Sequence, residues 1–333
     1  MANLRTFYAC QAVAVAAREP DSSTGLYTSR TRDYQYMHGI QSVGINSTFE
    51  TDNVFELGQI DIYDSVLNVP QVEITIEKAL DGYTTPFGYI CNSTTNSEKT
   101  LAKTSKHRAD VKFGLYADSG NAGSAPPIVT MECTGMYVTN VTYTFPVDGN
   151  CTESVTLVGN YKAFSTSANS GITIPNDVSN PNANPNDKPN WTADNRMIRR
   201  QDIVYTGPGS NKAQTVTVTL NLNREDVFEF GKRIPYAKIA TFPIEVTTEV
   251  QSLLVDDNTD TSAFTEATVV NPDKDQTISV SGGVLKIDLG SKNFLASVNQ
   301  TGGDAGGGNA TITRSYTTYN FMTVIDDGAT GNS

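Results

Sequence analysis

Apolar and polar residues alternate one for one along several stretches, and a period of two is the signature of a strand with one buried face. Within residues 215–223 (TVTVTLNLN), Val216, Val218, Leu220 and Leu222 alternate with polar neighbours. Residues 71–77 (QVEITIE) repeat the pattern with Val72, Ile74 and Ile76 inward, and Val43, Ile45 and Phe49 carry it around Ser47. Tyr137, Val141, Tyr143 and Phe145 share one face with Thr139. The turn triplet Asp148-Gly149-Asn150 then leads to Val155 and Leu157, so residues 137–164 read as a long β-hairpin. Residues 7–17 are apolar but number only 11 and contain Gln11; they predict a strand, since a membrane span needs roughly 20 apolar residues. Helix-period segments are few, and residues 86–92 are the one short candidate. The pattern predicts a mainly antiparallel β protein.

The chain also repeats itself. Asn53-Val54-Phe55-Glu56-Leu57-Gly58 recurs as Asp226-Val227-Phe228-Glu229-Phe230-Gly231, an offset of 173 residues that also brings Tyr63 onto Tyr236 and Pro70 onto Pro243. Upstream, the strand ending at Phe49 meets the one ending at Leu222. Beyond the proline the best match shortens the offset by one, placing VEITIE (72–77) on IEVTTE (244–249). Both halves close with a strand, a glycine-bearing turn and a strand: 137–164 in the first, and 294–298, 302–308 and 310–324 in the second. Two tandem β domains are therefore expected, at residues 1–165 and 203–333. Residues 166–202 lie between as a linker or arm, because the segment 174–191 (IPNDVSNPNANPNDKPNW) carries four prolines that support neither ladder nor helix.

Composition narrows the function. Of 333 residues only 18% are charged, and the net charge is -12. A surface that reads DNA or RNA needs clustered Lys and Arg, so sequence-specific nucleic-acid binding is not expected. Four cysteines (Cys10, Cys91, Cys133, Cys151) and two histidines (His38, His107) show no metal-ligand spacing, and buried free thiols are the expectation. Neither histidine neighbours a serine-nucleophile motif, and the glycines at 302–308 lack the Lys-Ser/Thr ending of a phosphate loop. Lys103, Lys106 and Arg108 read as a solvated basic loop. No catalytic, metal or cofactor-binding residue is expected, and the reading is non-enzymatic.

The run 40–82 (IQSVGINSTFETDNVFELGQIDIYDSVLNVPQVEITIEKALDG) and the hairpin 134–164 (TGMYVTNVTYTFPVDGNCTESVTLVGNYKAF) resemble phage tail tube proteins, the major tail proteins of long-tailed phages. The second half is similar to the family mainly through its match to the first. The resemblance implies tandem antiparallel β-sandwich or barrel domains with short flanking helices, whose strands join between subunits into a continuous barrel around a channel. It implies self-association into stacked rings, trimeric with pseudo-sixfold symmetry or hexameric, and contact with other tail proteins such as tape measure, sheath or terminator. It further implies genomic DNA passing through the lumen without sequence-specific binding, no membrane, and a place in the virion after synthesis in the host cytoplasm. On that reading Val54, Phe55, Glu56, Gly58, Tyr63 and Pro70, with Val227, Phe228, Glu229, Gly231, Tyr236 and Pro243, define the repeat. Tyr137, Val141, Tyr143, Phe145, Val155 and Leu157 form a hairpin for self-assembly, and part of the acidic excess faces the lumen. The alternatives are another phage structural module (baseplate, decoration or adhesin) and a carbohydrate-binding β-sandwich with Trp191 and Tyr205 as its platform.

Overall fold

The computed structural model describes residues 11–20, 27, 30–91, 101–116, 126–166, 172, 197–208, 210, 212–254, 275–280, 284–302 and 309–326. The Pro/Asn-rich segment with Trp191, Cys10, and most of the glycine turn lie outside the described residues. The fold is mainly β, built from antiparallel sheets.

One strand, β8 (Val129–Pro146), organises the chain. Its first part lies between β7 (Arg108–Leu115) and β10 (Lys162–Ser165), with Cys133 facing Val111 on one edge and Lys162 on the other. Beyond β7 come β1 (Gln11–Arg18) and β2 (Arg32–Tyr36). The last part of β8 lies between β9 (Thr152–Gly159) and β12 (Ala213–Asn221), with Val141 facing Val155 and Leu220. Outward from β9 follow β6 (Gln71–Ala79) and β3 (Ile40–Thr48). Outward from β12 follow β15 (Glu245–Leu253), β19 (Thr311–Tyr319) and β18 (Phe294–Thr301). The order β3-β6-β9-β8-β12-β15-β19-β18 is therefore one continuous sheet to which both halves of the chain contribute four strands each. A second sheet, β11 (Ile203–Thr206), β16 (Thr277–Val280), β17 (Leu285–Asp288) and β20 (Thr323–Asp326), lies apart from it. The expected final strand over 310–324 is thus two strands in two sheets, β19 and β20.

The internal repeat reappears as geometry. β3 and β12 occupy positions 173 residues apart, and each is followed by a two-stranded ribbon: β4 (Thr51–Phe55) with β5 (Ile62–Leu67), and β13 (Arg224–Val227) with β14 (Ala237–Ala240). After the ribbons the correspondence differs from the expected one. Thr48 faces Gln71 and Asn221 faces Glu245, so β6 matches β15 at an offset of 174. The second half gains a residue after its proline, the buried Ile244, and the sequence match of VEITIE to IEVTTE is slipped by two. A slip of two keeps the same side chains inward, so alternation could not detect it. Two bulges repeat as well. The register breaks between Ile40 and Ser42 and between Ala213 and Thr215, and again between Val138 and Asn140 and between Leu295 and Ser297.

The bulge in β8 corrects one sequence reading. An extra residue reverses the alternation, so Met136 and Val138 join Val141, Tyr143 and Phe145 in the core, while Tyr137 faces the other way beneath Arg108 and Arg224. Otherwise alternation holds: Val72, Ile74, Ile76, Val216, Val218 and Leu220 are all buried. Phe49 is exposed, because the chain has left β3 for the ribbon by then. α1 (Pro86–Cys91) is the expected short helix, buried along its length, and a further turn, α2 (Leu101–Thr104), follows it. Thr85 starts α1, donating from its backbone N and its Oγ1 to Asp326 Oδ2, both at 2.8 Å. Gly88 is required there: a Cβ would stand 2.1 Å from that carboxylate oxygen.

Candidate functional surfaces

The eight-stranded sheet has two unlike faces. One carries the apolar core. Across the other, register places Ser42, Asn46, Glu73, Thr75, Glu77, Ser154 and Thr156 side by side with Asn140, Thr142 and Thr144. The row continues through Thr215, Thr217, Thr219 and Asn221 to Glu245, Thr247, Glu249, Thr313, Ser315 and Asn299. Hydrogen bonds tie neighbours on this face, Ser42 to Glu77 at 3.0 Å and Asn140 to Asn221 at 2.5 Å. It holds four carboxylates and, among the described residues, no Lys or Arg. Thr and Asn on every strand make a smooth, hydrated surface whose only formal charge is negative.

The sheet also has two free edges. Among the described residues β3 pairs only with β6, and β18 only with β19. Val43, Ile45 and Val298 on these edges are half-exposed, whereas Val216, Val218 and Val141, their equivalents at the internal junction, are buried. An unpaired edge with apolar side chains is a template for another strand.

The two ribbons project from the sheet as arms. Leu57 and Ile60 on the first are 102% and 98% exposed, and Phe230 on the second is 108% exposed. Of the repeat residues, Phe55, Tyr63, Phe228 and Tyr236 are also exposed, as are Glu56 and Glu229, while Val54 is exposed and Val227 half-buried. Gly58 and Gly231 turn each arm with φ of 91° and 80°, a left-handed conformation that favours glycine. The same turn bond closes both tips, Gln59 N to Glu56 O and Lys232 N to Glu229 O. Pro70 and Pro243 mark where each arm returns to the sheet. The residues expected to define the repeat thus lie on exposed arms and contribute little to the core. The second arm leans on the first within the chain: Arg233 Nη2 donates to the carbonyls of Leu67 and Asn68, the latter at 3.0 Å. A cleft of about 800 Å³ separates them, lined by Val66, Asn68, Asn160, Asp226, Phe228 and Arg233 among others.

The hairpin expected to drive self-assembly has another place. Tyr137, Val141, Tyr143, Phe145, Val155 and Leu157 are all buried within the chain, and its edges are covered by β12 and β6 of the same chain. Both edges are thus paired within the chain, one of them by a strand from the second half. Arg224 pins that junction. Its guanidinium donates to the carbonyls of Val138 in the bulge (2.7 Å), Ser105 (2.9 Å) and Lys238 (3.1 Å), and burial lowers its pKa to about 10. No sequence pattern marked it.

Other polar side chains singled out in the sequence are packed within the fold. His38 stacks on Tyr83 at 3.8 Å, and His107 Nδ1 donates to the Ile90 carbonyl at 3.0 Å. Cys91, Cys133 and Cys151 are buried; burial pushes the Cys133 and Cys151 thiols up to about 11, away from nucleophile chemistry. Arg108 is no solvated loop residue: it sits over the Tyr27 ring at 3.7 Å and its Nε donates to the Tyr137 hydroxyl at 2.6 Å. Tyr205 is half-buried, its hydroxyl donating to the Pro208 carbonyl, and it offers no exposed platform. Among the described residues no group of three or more His, Cys, Asp and Glu could hold a metal ion.

No family model and no curated protein matches this chain. A solved structure similar over part of the chain is a component of the anti-feeding prophage baseplate, a sixfold-symmetrised particle. The two share 10% identity and a TM-score of 0.31, over 48% of this chain and 95% of that one.

Proposed function

We propose that this chain is a structural subunit of a phage tail tube, three copies of which close a ring. The observation that carries the reading is the internal junction. β8 ends one four-strand module and β12 begins the next, and they pair through seven positions from Asn140↔Asn221 to Pro146↔Thr215. β18 and β3 are the same two edges in their repeated form. Carrying the junction over by the repeat pairs Val298 of one copy with Ser47 of the next, Asn299 with Asn46, and Gln300 with Ile45. A head-to-tail contact of this kind closes into a ring when its rotation divides a full turn.

Size and charge support the same reading. Three copies supply about 24 strands, which at about 4.8 Å spacing and about 40° tilt give a backbone diameter of about 48 Å. Side chains from both walls take about 10 Å of that, which leaves room for a double helix. With the apolar core outside, the lumen is the Thr/Asn face with its four carboxylates. DNA carries one negative charge per about 1.7 Å, so such a wall offers the duplex neither counter-charge nor base contact, and it can slide.

Negative-stain images of the purified protein are expected to show rings or hollow rods with threefold averages and six similar lobes. Gln300→Pro removes a donor from the free edge of β18, since Asn299 and Thr301 turn their backbone groups to β19, and is expected to abolish them while far-UV circular dichroism stays unchanged. Monodisperse single chains at every concentration of the parent protein would refute the proposal.

A further inference from the structure

The two arms are equivalent in sequence and register, yet only one of them has a partner inside the chain. The second arm, in the module on the β12 side of the junction, rests on the base of the first arm through Phe228 and Arg233. The first arm has nothing equivalent to rest on among the described residues of its own chain. Translating the internal contact by the repeat places Phe55 where Phe228 stands and Ile60 where Arg233 stands. It replaces the receiving residues Val66, Asn68 and Asn160 with Ile239, Thr241 and Tyr319. The last equivalence follows from strand register: Leu157 faces Ile74 and Tyr316 faces Thr248, an offset of 159 that carries Asn160 to Tyr319.

We infer that the first arm docks on the base of the second arm of the neighbouring copy, with Phe55 and Ile60 packing against Ile239, Phe242 and Tyr319. The chemistry on the two sides changes together. Inside the chain an arginine meets backbone carbonyls beside Asn160. Between copies an isoleucine meets a face where Ile239, Phe242 and Tyr319 are each about half-exposed (55%, 55% and 49%). Exposed apolar groups grouped beside a polar rim mark a protein contact, and here both partners are on the same chain. The inference rests on the ring reading and adds a second contact to it, one made by side chains in addition to the backbone pairing of β18 with β3. It also gives the ring two alternating kinds of arm contact, a polar one within each copy and an apolar one between copies.

Ile60→Cys and Thr241→Cys in one full-length chain, treated with a short bismaleimide, test it. Covalent multimers ending at the closed ring are expected on a denaturing gel, with neither single variant giving them. Asn68→Cys with Arg233→Cys is the internal control and should link within one chain, seen as a cross-linked peptide pair with no gain in mass class. Phe242→Asp should raise the concentration needed for assembly at least tenfold without unfolding the chain. Rings visible by microscopy but lacking the cross-link between positions 60 and 241, or indifferent to Phe242→Asp, overturn the arm contact and leave the ring standing. Absence of any assembly overturns both.

Discussion

Glu153 makes the stability of this chain depend on pH in a direction opposite to that of most carboxylates. It lies on β9, wholly buried, with Oε1 accepting from the backbone N of Phe87 at 3.0 Å. Tyr143, Thr85 and Asp326 surround it, and none of these is a cation. Burial raises its pKa from 4.5 to about 7, with the nearby Asp326 adding to the rise, while the Phe87, Tyr143 and Thr85 hydrogen bonds oppose it. The folded chain therefore keeps a proton that the unfolded chain has released. Between about pH 4.5 and pH 7 the folded state binds more protons, so its stability falls as pH rises and levels off above 7. A shift of about 2.5 units at 1.36 kcal/mol per unit amounts to about 3 kcal/mol, fully present below pH 4.5 and lost as pH rises through about 7.

Glu153→Gln keeps the shape and an acceptor for Phe87 but carries no titrating proton. Urea midpoints measured from about pH 4.5 to 8 at fixed protein concentration are expected to separate the two proteins. The parent should lose about 3 kcal/mol relative to the variant across that window, and the variant should be the more stable of the two above about pH 7. Taking the difference between the proteins removes the contribution of titrating groups that do not interact with Glu153. The equivalent position in the second half is Ile312, also buried, so an uncharged side chain is compatible with this place in the sheet. Parallel pH profiles for the two proteins would refute the reasoning.

Arg224→Ala removes three bonds to backbone carbonyls at a buried junction; each such bond is worth about 1.5–3 kcal/mol before desolvation is set against it. A net loss of about 3 kcal/mol in urea unfolding is expected, partly recovered by Lys. Asp110 accepts from Arg18 and Arg30 at 2.7 and 2.8 Å and from the backbone N of Gly135 at 2.9 Å, with its side chain fully buried. Asp110→Asn removes the buried charge shared by two partly exposed guanidinium groups, of which Arg30 keeps Glu132 at 3.0 Å, and should cost about 1–2 kcal/mol, read as a lower urea midpoint. Gly88→Ala forces a methyl against Asp326 and should lower the melting temperature by an amount equivalent to about 1–3 kcal/mol, although alanine is the better helix former.

Strand identity was legible in the sequence wherever one face is buried and the other wet, as in β6 and β12. The period carries both facts at once. The arms were legible as a repeat but not as arms, because a ribbon with both faces in solvent has no alternation to read. β8 misled for a local reason. A bulge reverses inside and outside at Thr139, and an extra residue leaves no compositional mark. The place of the hairpin 137–164 was not legible for a long-range reason: whether it is covered depends on β12, which lies far along the chain, and pairing between distant strands is invisible to periodicity. Arg224 and Glu153 went unnoticed because their roles depend on burial, which one residue type does not reveal.

The distribution of likeness between the halves carries its own argument. Equivalent core positions differ freely: Ile74 corresponds to Thr248, Glu153 to Ile312 and Val155 to Arg314, all buried. A core asks mainly for volume and compatible neighbours, and each half has found its own solution. The sequence retained in both copies, Val-Phe-Glu-x-Gly, instead covers exposed arms where the chain's own packing demands little. A shared outward-facing sequence is economical to explain if both arms meet the same kind of surface, with Phe55 and Phe228 filling the same role. The positions where the arms differ then point the same way. Ile60 against Arg233 goes with Tyr319 against Asn160, so the arm tip and its receiving face have changed together, as two halves of one contact would.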